Sequence, residues 1–437
     1  MSNKESYRSA FILLTVLFFL WGFITVLVDS LIPRLRELFT LTYFQAGLVQ
    51  FAFFGAFFLL SIPASYILSK IGYKKGVILG LLTMALGCLL FYPAASYREF
   101  GLFMLAYFIL AAGITVLQVA ANPFVAVLGS EVGASSRLNL SQAFNSLGTA
   151  VAPIVGAMFI LSDVIKTKDE IAVLDGTAKE AYLTSEAAAV QAPFLGLAVF
   201  IGLIALIFLF AKLPNLISQT ATGTYHEAFK NKKLMQGVLG ILFYVGAEVA
   251  IGSYLVNYFL EMNLVAVIKE NTVMKSIAEG ILNSGLTGKD DKAVVGVFVT
   301  FYWSGAMIGR FVGAYLTRII KPGKVLAMFA AISIGLIILS VSTVGLVSMW
   351  SILAVGLFNS IMFPTIFTLA IDGIGHLKPK ASGLLCTAIV GGAIIPPLFG
   401  FLTDYIRFKN ALLLIIVCYG YIVWFGFKNG KSQVEIT

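Results

Sequence analysis

Apolar stretches long enough to cross a bilayer recur all along this 437-residue chain, and they constrain its fold more than anything else in it. A spanning helix needs about 20 mostly apolar residues. By that measure there are twelve spans, at roughly 9–36, 43–70, 75–96, 99–128, 137–162, 190–213, 234–261, 292–320, 324–343, 347–372, 380–404 and 409–428. Hydrocarbon offers no water to backbone N–H and C=O groups, so segments of this length must satisfy them internally, as helices. The chain is 59% hydrophobic and 12% charged, against about a quarter charged in soluble domains. The expectation is an all-α, polytopic membrane protein whose solvent is the lipid bilayer. A net charge of +9 would suggest nucleic acid in a soluble chain. Here it belongs to the loops, and no nucleic-acid partner is expected.

The polar stretch LPNLISQTATGTYHEAFKNKK separates the first six spans from the last six. It divides the chain into an N-terminal bundle (1–213), a cytoplasmic linker (214–233) and a C-terminal bundle (234–437). Two further long loops, 163–189 and 262–291, carry mixed charge and little periodicity. With the N-terminus inside, the inner loops hold Lys70, Lys74, Lys75, Arg137, Lys232, Lys233, Arg318, Lys321 and Lys324 with few acids. That bias places both termini in the cytoplasm. Lys4 and Arg8 precede the first apolar run, but no small-residue cleavage site follows, so the run reads as a retained span. Cys88, Cys386 and Cys418 all lie in apolar segments and suggest neither a disulfide framework nor a metal framework.

The two halves repeat weakly. GAFFLLSIPASYILSKIGYKK (55–75) lies against GAMIGRFVGAYLTRIIKPGK (305–324), and VAPIVG (151–156) against IPPLFG (395–400). Parallel six-span halves are the layout of major facilitator transporters.

Against this apolar background, amides stand out. Thr115, Gln118 and Asn122 share one face of the fourth span, and Asn139, Gln142, Asn145 and Thr149 follow on the fifth. Gln50 adds an amide on the second. Polar groups in a bilayer usually face a bundle interior or a water-filled path. Neutral donors and acceptors suit a polyol better than an ion or an oily drug.

Charged groups inside spans are few. Asp29, one turn after Thr25, is either a proton carrier, a sodium ligand or a group facing outside water near a helix end. Pro33 leaves the carbonyl of Asp29 without its helical partner, so carbonyl and carboxylate together offer hard oxygens to a small cation. Glu248, with Tyr244 one turn before it, can bind sugar hydroxyls, take part in coupling or pair between helices. Arg310 reads as structural or gating, snorkelling or pairing with an acid such as Asp372. The basic turn at Lys74 and Lys75 reads as an inner gate. Pro63, Pro123, Pro153, Pro364, Pro396 and Pro397 interrupt spans, and Pro364 sits beside Asn359 much as Pro123 follows Asn122. Among the aromatics, Trp21, Tyr244, Tyr302 and Trp303 lie near polar groups, where a ring can stack on a pyranose face. No nucleotide loop, zinc motif or nucleophilic triad can be assembled, so an enzyme is not expected.

WGFITVLVDSLIP, TLTYFQAGLVQFAFFGAFFL, QVAANPFVAVLG, RLNLSQAFNSLG, YVGAEVAIGS, FNSIMFPTIF and AIVGGAIIPP resemble the fucose–galactose–glucose cation symporter family of the major facilitator superfamily, over about residues 10 to 425. The likeness is strongest to its bacterial glucose/galactose branch. It implies uptake of a neutral hexose by alternating access in a bacterial inner membrane, by a monomer with a site between the halves. No cofactor is implied beyond co-transported Na+ or H+. In the proton-coupled fucose member, an aspartate at the place of Asp29 and a glutamate at the place of Gln118 serve coupling and binding. A glutamine and an asparagine matching Gln142 and Asn145 lie along its sugar path. The departure here is Gln118, which cannot titrate; the glucose/galactose branch shares it. Coupling then falls on Asp29, with Thr25 beside it and Glu248 as a possible assistant, and sodium is favoured slightly over the proton. Gln118, Asn122, Gln142, Asn145 and Asn359 remain to meet sugar hydroxyls. A proton-coupled symporter of fucose, fructose, mannose or N-acetylglucosamine is the alternative, with a facilitator or exporter of another solute behind it.

Overall fold

The computed structural model describes residues 3–29, 43–159, 173–214 and 223–430, and every regular element among them is a helix. The first six spans are α1 (Asn3–Asp29), α2 (Tyr43–Ile71), α3 (Tyr73–Tyr97), α4 (Phe100–Val127), α5 (Ala134–Phe159) and α6 (Gly176–Phe210). A short helix in the connecting segment (Tyr225–Lys230) leads to α7 (Lys232–Glu261). Then come α8 (Val299–Ile319), α9 (Pro322–Ser342), α10 in two pieces (α10a, Gly345–Asn359; α10b, Met362–Ile371), α11 in two pieces (α11a, Lys378–Thr387; α11b, Gly391–Ile406) and α12 (Phe408–Asn429).

Eleven stretches among the described residues are long and apolar enough to cross a membrane. The expected fifth span is helical too, but is not one of the eleven. Its Asn139, Gln142, Asn145 and Thr149 dilute its apolarity, which is the property that made it notable in the sequence. Exposed positions along the spans are themselves apolar, among them Phe58, Leu82, Leu203 and Val417, as a surface against lipid requires.

Three departures from the sequence expectation have local causes. The segment 262–291 is not irregular: it forms helices Leu264–Glu270 and Thr272–Leu282, the second capped by Asn271, whose side chain accepts from the N–H groups of Val273 and Met274 at 3.1 Å. α6 begins at Gly176, well before the apolar run, because Asp175 caps it, accepting from Ala178 N–H at 2.7 Å. The tenth span is broken at Ser360–Ile361, since Pro364 has no N–H to give the carbonyl of Ser360.

The chain divides into two compact units. One comprises Met1–Glu131, Phe144–Lys230 and Gly373–Ala388; the other comprises Val132–Ala143, Asn231–Asp372 and Ile389–Thr437. Packing within each repeats six spans on. In the first unit α3 lies against α4 and α6, and α2 against α4; in the second α9 lies against α10a and α12, and α8 against α10a. α1 meets α5 where Gly22 and Gly148 allow backbone contact: a Cβ on Gly22 would overlap the carbonyl oxygen of Asn145, and one on Gly148 that of Phe19. α7 meets α11b the same way, through Gly246 and Gly391. Small residues of this kind let transmembrane backbones approach closely. With the eleven apolar stretches and α5, the described residues form twelve helical spans of an all-α membrane protein.

Candidate functional site

In the first unit the polar wall runs along α4. Thr115 is buried and its hydroxyl donates to the carbonyl of Ala111 at 2.9 Å, so it is spent within its own helix. Gln118 is half-buried, and its Oε1 is shielded from solvent with no hydrogen bond among the described residues. Asn122 is fully buried one turn on. Pro123 follows and withholds an N–H from the carbonyl of Val119. Ser382 of α11a takes up that carbonyl, donating its hydroxyl at 2.8 Å.

Asn145 of α5 donates Nδ2 to the carbonyl of Phe18 at 2.9 Å, tying α5 to α1 at the glycine crossing. Trp21 is buried there beside Phe18, with ring centroids 5.4 Å apart. Thr25 donates to the carbonyl of Trp21 at 2.9 Å. Asp29 ends α1. The side chains of Asp29 and Gln50, and the whole of Pro33, lie outside the described residues. Lys74, at the start of α3, donates to the carbonyl of Leu209 in the last turn of α6 at 2.9 Å, where helical carbonyls lack partners. Lys75 is exposed.

In the second unit the first turns of α5 lie on α8 and α10b. Ser136 donates to the carbonyl of Ala314 at 2.7 Å, Asn139 donates Nδ2 to Thr365 Oγ1 at 3.1 Å, and Ser135 shares a 2.6 Å hydrogen bond with Thr368. Asn139 therefore works as a fastener between helices. Gln142 is 7% exposed, next along α5.

A second polar cluster sits among α7, α8, α10 and α12. Glu248 Oε1 lies 3.9 Å from Arg310 Nη2, and both side chains are largely buried. Arg310 also donates Nε to the carbonyl of Ser360 at 3.2 Å, the carbonyl that Pro364 leaves open. Asn359 donates Nδ2 to the hydroxyl oxygens of Tyr302 at 2.6 Å and Tyr419 at 3.2 Å. Tyr244, 1% exposed, feels the Glu248 carboxylate but makes no hydrogen bond of ordinary geometry. The expected partnership of Arg310 with Asp372 is not made. Asp372 at the end of α10b pairs instead with Lys233 at 3.2 Å, close to the start of α7 where the lysine can reach it. Trp303 is half-exposed, with its ring over Gly252.

Sequence reasoning missed Tyr419, a tyrosine in an apolar helix with no periodic signal to separate it from Tyr421 two residues on, and Ser382. The latter is recoverable only in principle, as a hydroxyl on a span facing a proline-interrupted one.

A Major Facilitator Superfamily model matches residues 10–389. A glucose/galactose transporter of Brucella abortus (biovar 1, strain 9-941) is 45% identical over 99% of this chain and 96% of its own length. An L-fucose-proton symporter of Escherichia coli (strain K12) is 36% identical over 99% of this chain and 95% of its own. The crystal structure of the Escherichia coli fucose:proton symporter superposes with a TM-score of 0.85 at 33% identity, covering 98% of this chain and 100% of that one.

Proposed function

The chain belongs to the Major Facilitator Superfamily as a multi-pass sugar transporter, and from that premise we propose that it takes up a neutral hexose of the glucose/galactose type by alternating access, driven by a co-transported cation. The observation that carries this reading is the α4 wall. Gln118 and Asn122 present neutral amides inside a span, with the buried Oε1 of Gln118 making no hydrogen bond among the described residues. An amide offers a sugar hydroxyl both a donor and an acceptor. It offers an ion or a hydrophobic drug much less. Gln142 and Asn145 on α5 are the further amides assigned to sugar hydroxyls.

Gln118 cannot take up a proton, so the coupling role falls on Asp29, with Thr25 one turn before it. We favour sodium over the proton on this ground. The second reading is proton-coupled symport of another sugar such as fucose, supported by the likeness to an L-fucose-proton symporter over nearly the whole chain.

The test is counterflow of radiolabelled glucose, galactose and fucose in proteoliposomes, with sodium and proton gradients imposed separately. Glucose or galactose counterflow, with accumulation driven by sodium, is the expected result. Failure of every hexose to exchange would remove the reading. Asp29→Asn should abolish accumulation against a gradient while sparing exchange; unchanged accumulation would move the coupling site elsewhere.

A further inference from the structure

The cluster in the second unit holds polar atoms that lack a hydrogen bond among the described residues, one of which, Glu248 Oε1, faces Arg310 Nη2 at 3.9 Å. Tyr244 OH, Glu248 Oε1 and Asn359 Oδ1 are all shielded from solvent and make no hydrogen bond among the described residues. The backbones of Tyr244 and Glu248 stand one turn apart on α7, and Asn359 ends α10a, just before the break in that span. Tyr302 of α8 joins them, its hydroxyl oxygen accepting Asn359 Nδ2 at 2.6 Å. Whichever way the Asn359 amide is turned, two tyrosine hydroxyls hold one end and the other end is unused. A buried polar group without a partner is costly, and several together are not explained by packing.

The chemistry of these groups selects their ligand. With Asn359 Nδ2 donating to the oxygens of Tyr302 and Tyr419, both phenols keep a proton to donate. Glu248 Oε1 and Asn359 Oδ1 only accept, and Tyr244 OH does either. Sugar hydroxyls, which donate and accept at once, match this mixture. A cation does not: the permanently charged guanidinium of Arg310 already faces the Glu248 carboxylate at 3.9 Å and would repel it.

We propose that Tyr244, Glu248 and Asn359 form a hydroxyl-recognition subsite for the hexose in the C-terminal half, and that Glu248 has no part in cation coupling. Arg310 is its positioning residue. Anchored on the Ser360 carbonyl by Nε, it presents Nη2 to Glu248 and sets where that carboxylate points. A sugar hydroxyl received by Glu248 is thereby linked, through one side chain, to the break in α10. The proposal rests on the hexose-transport reading above.

The experiment measures apparent affinity for glucose and its 2-, 3-, 4- and 6-deoxy analogues by counterflow in proteoliposomes, for the wild-type protein, Glu248→Gln and Tyr244→Phe. In the wild type, loss of the hydroxyl that Glu248 receives should weaken binding about tenfold, the size of one good hydrogen bond to a charged group. In Glu248→Gln the same analogue should be penalised less than about twofold, the signature of two groups in contact. Glucose affinity itself should fall while the cation-driven accumulation ratio stays unchanged. Tyr244→Phe removes a single oxygen and carries the same test should Glu248→Gln fail to fold. If every deoxy penalty survives unchanged in both variants, these side chains do not touch the sugar and the proposal falls. If Glu248→Gln abolishes accumulation but spares exchange, Glu248 is a coupling acid and the proposal falls equally. No counterflow by the wild type with any hexose would overturn the transport reading itself, and the subsite with it.

Discussion

Arg310 donates its Nε to the carbonyl of Ser360 at 3.2 Å, the one carbonyl in α10 that Pro364 leaves without a helical donor. A charged side chain at the centre of a span costs about 2.5–3.5 kcal/mol on insertion. Here the cost is offset on two sides, by a backbone acceptor and by the Glu248 carboxylate. The first unit carries the uncharged counterpart, with Ser382 on the Val119 carbonyl that Pro123 leaves open. In both α4 and α10, a carbonyl that a proline leaves open is thus held by a side chain from another helix.

That arrangement predicts a coupling between Arg310 and Pro364. Arg310→Ala should destabilise the purified protein by about 3–5 kcal/mol, because Glu248 is left buried and unpaired. In a Pro364→Ala background the Ser360 carbonyl regains a helical donor, and the penalty should shrink by about 0.5–1.5 kcal/mol. Thermal unfolding in detergent of the four proteins reads this directly. Strict additivity would mean that the Arg310–Ser360 contact contributes nothing.

The α1–α5 crossing should tolerate no side chain. Gly22→Ala and Gly148→Ala each force a Cβ into a backbone carbonyl, and overpacking of this kind costs on the order of 1–3 kcal/mol. Gly202→Ala, where nothing lies within 4 Å, should be neutral or slightly stabilising. Folded yield and melting temperature compare the three. Equal behaviour of Gly22→Ala and Gly202→Ala would show that the crossing is looser than described.

Gln118→Glu places a titratable acid on the sugar wall. Sugar exchange, expected to vary little with pH in the wild type on account of this position, should acquire a pH dependence in the variant. Rates of counterflow between pH 5 and 8, measured in sealed vesicles without an imposed gradient, decide it. Superimposable pH profiles would remove Gln118 from the sugar path.

Arg98 and Glu180 form a bidentate pair at 3.0 and 2.7 Å, joining the end of α3 to the part of α6 that precedes its apolar run. The hydrogen bond from Arg98, with its charge, holds the Glu180 carboxyl below its ordinary value of 4.5. A carboxyl depressed by folding stabilises the folded state above its unfolded value and ceases to do so as pH falls through the folded one. Wild type and Glu180→Gln should therefore differ in melting temperature at neutral pH, modestly because the pair is exposed, and converge as pH drops below 4.5. A difference that persists undiminished in acid would assign the effect of Glu180 to packing.

The spans were legible in the sequence because the bilayer's demand is local: twenty apolar residues satisfy their own backbone wherever they fall in the chain. The amide face on α4 was legible for the same reason, since helical periodicity alone puts Thr115, Gln118 and Asn122 on one side. Capping escaped notice at Asp175 and Asn271, where a single polar side chain starts a helix in a stretch that reads as loop. Asp29 was legible as a buried-looking acid, but its side chain and that of Gln50 lie outside the described residues.

By itself the sequence determined that this chain is a twelve-span membrane protein with neutral hydrogen-bonding groups inside two helices, because composition and period set those properties one segment at a time. Only the tertiary structure decided partners. Arg310 belongs to Glu248 and Ser360 rather than to Asp372, Tyr419 joins Asn359, and Asn139 fastens one helix to another. Which side chain reaches a given carbonyl or carboxylate depends on where helices cross. That is set by backbone contact at residues such as Gly22 and Gly246, far in sequence from the groups they bring together.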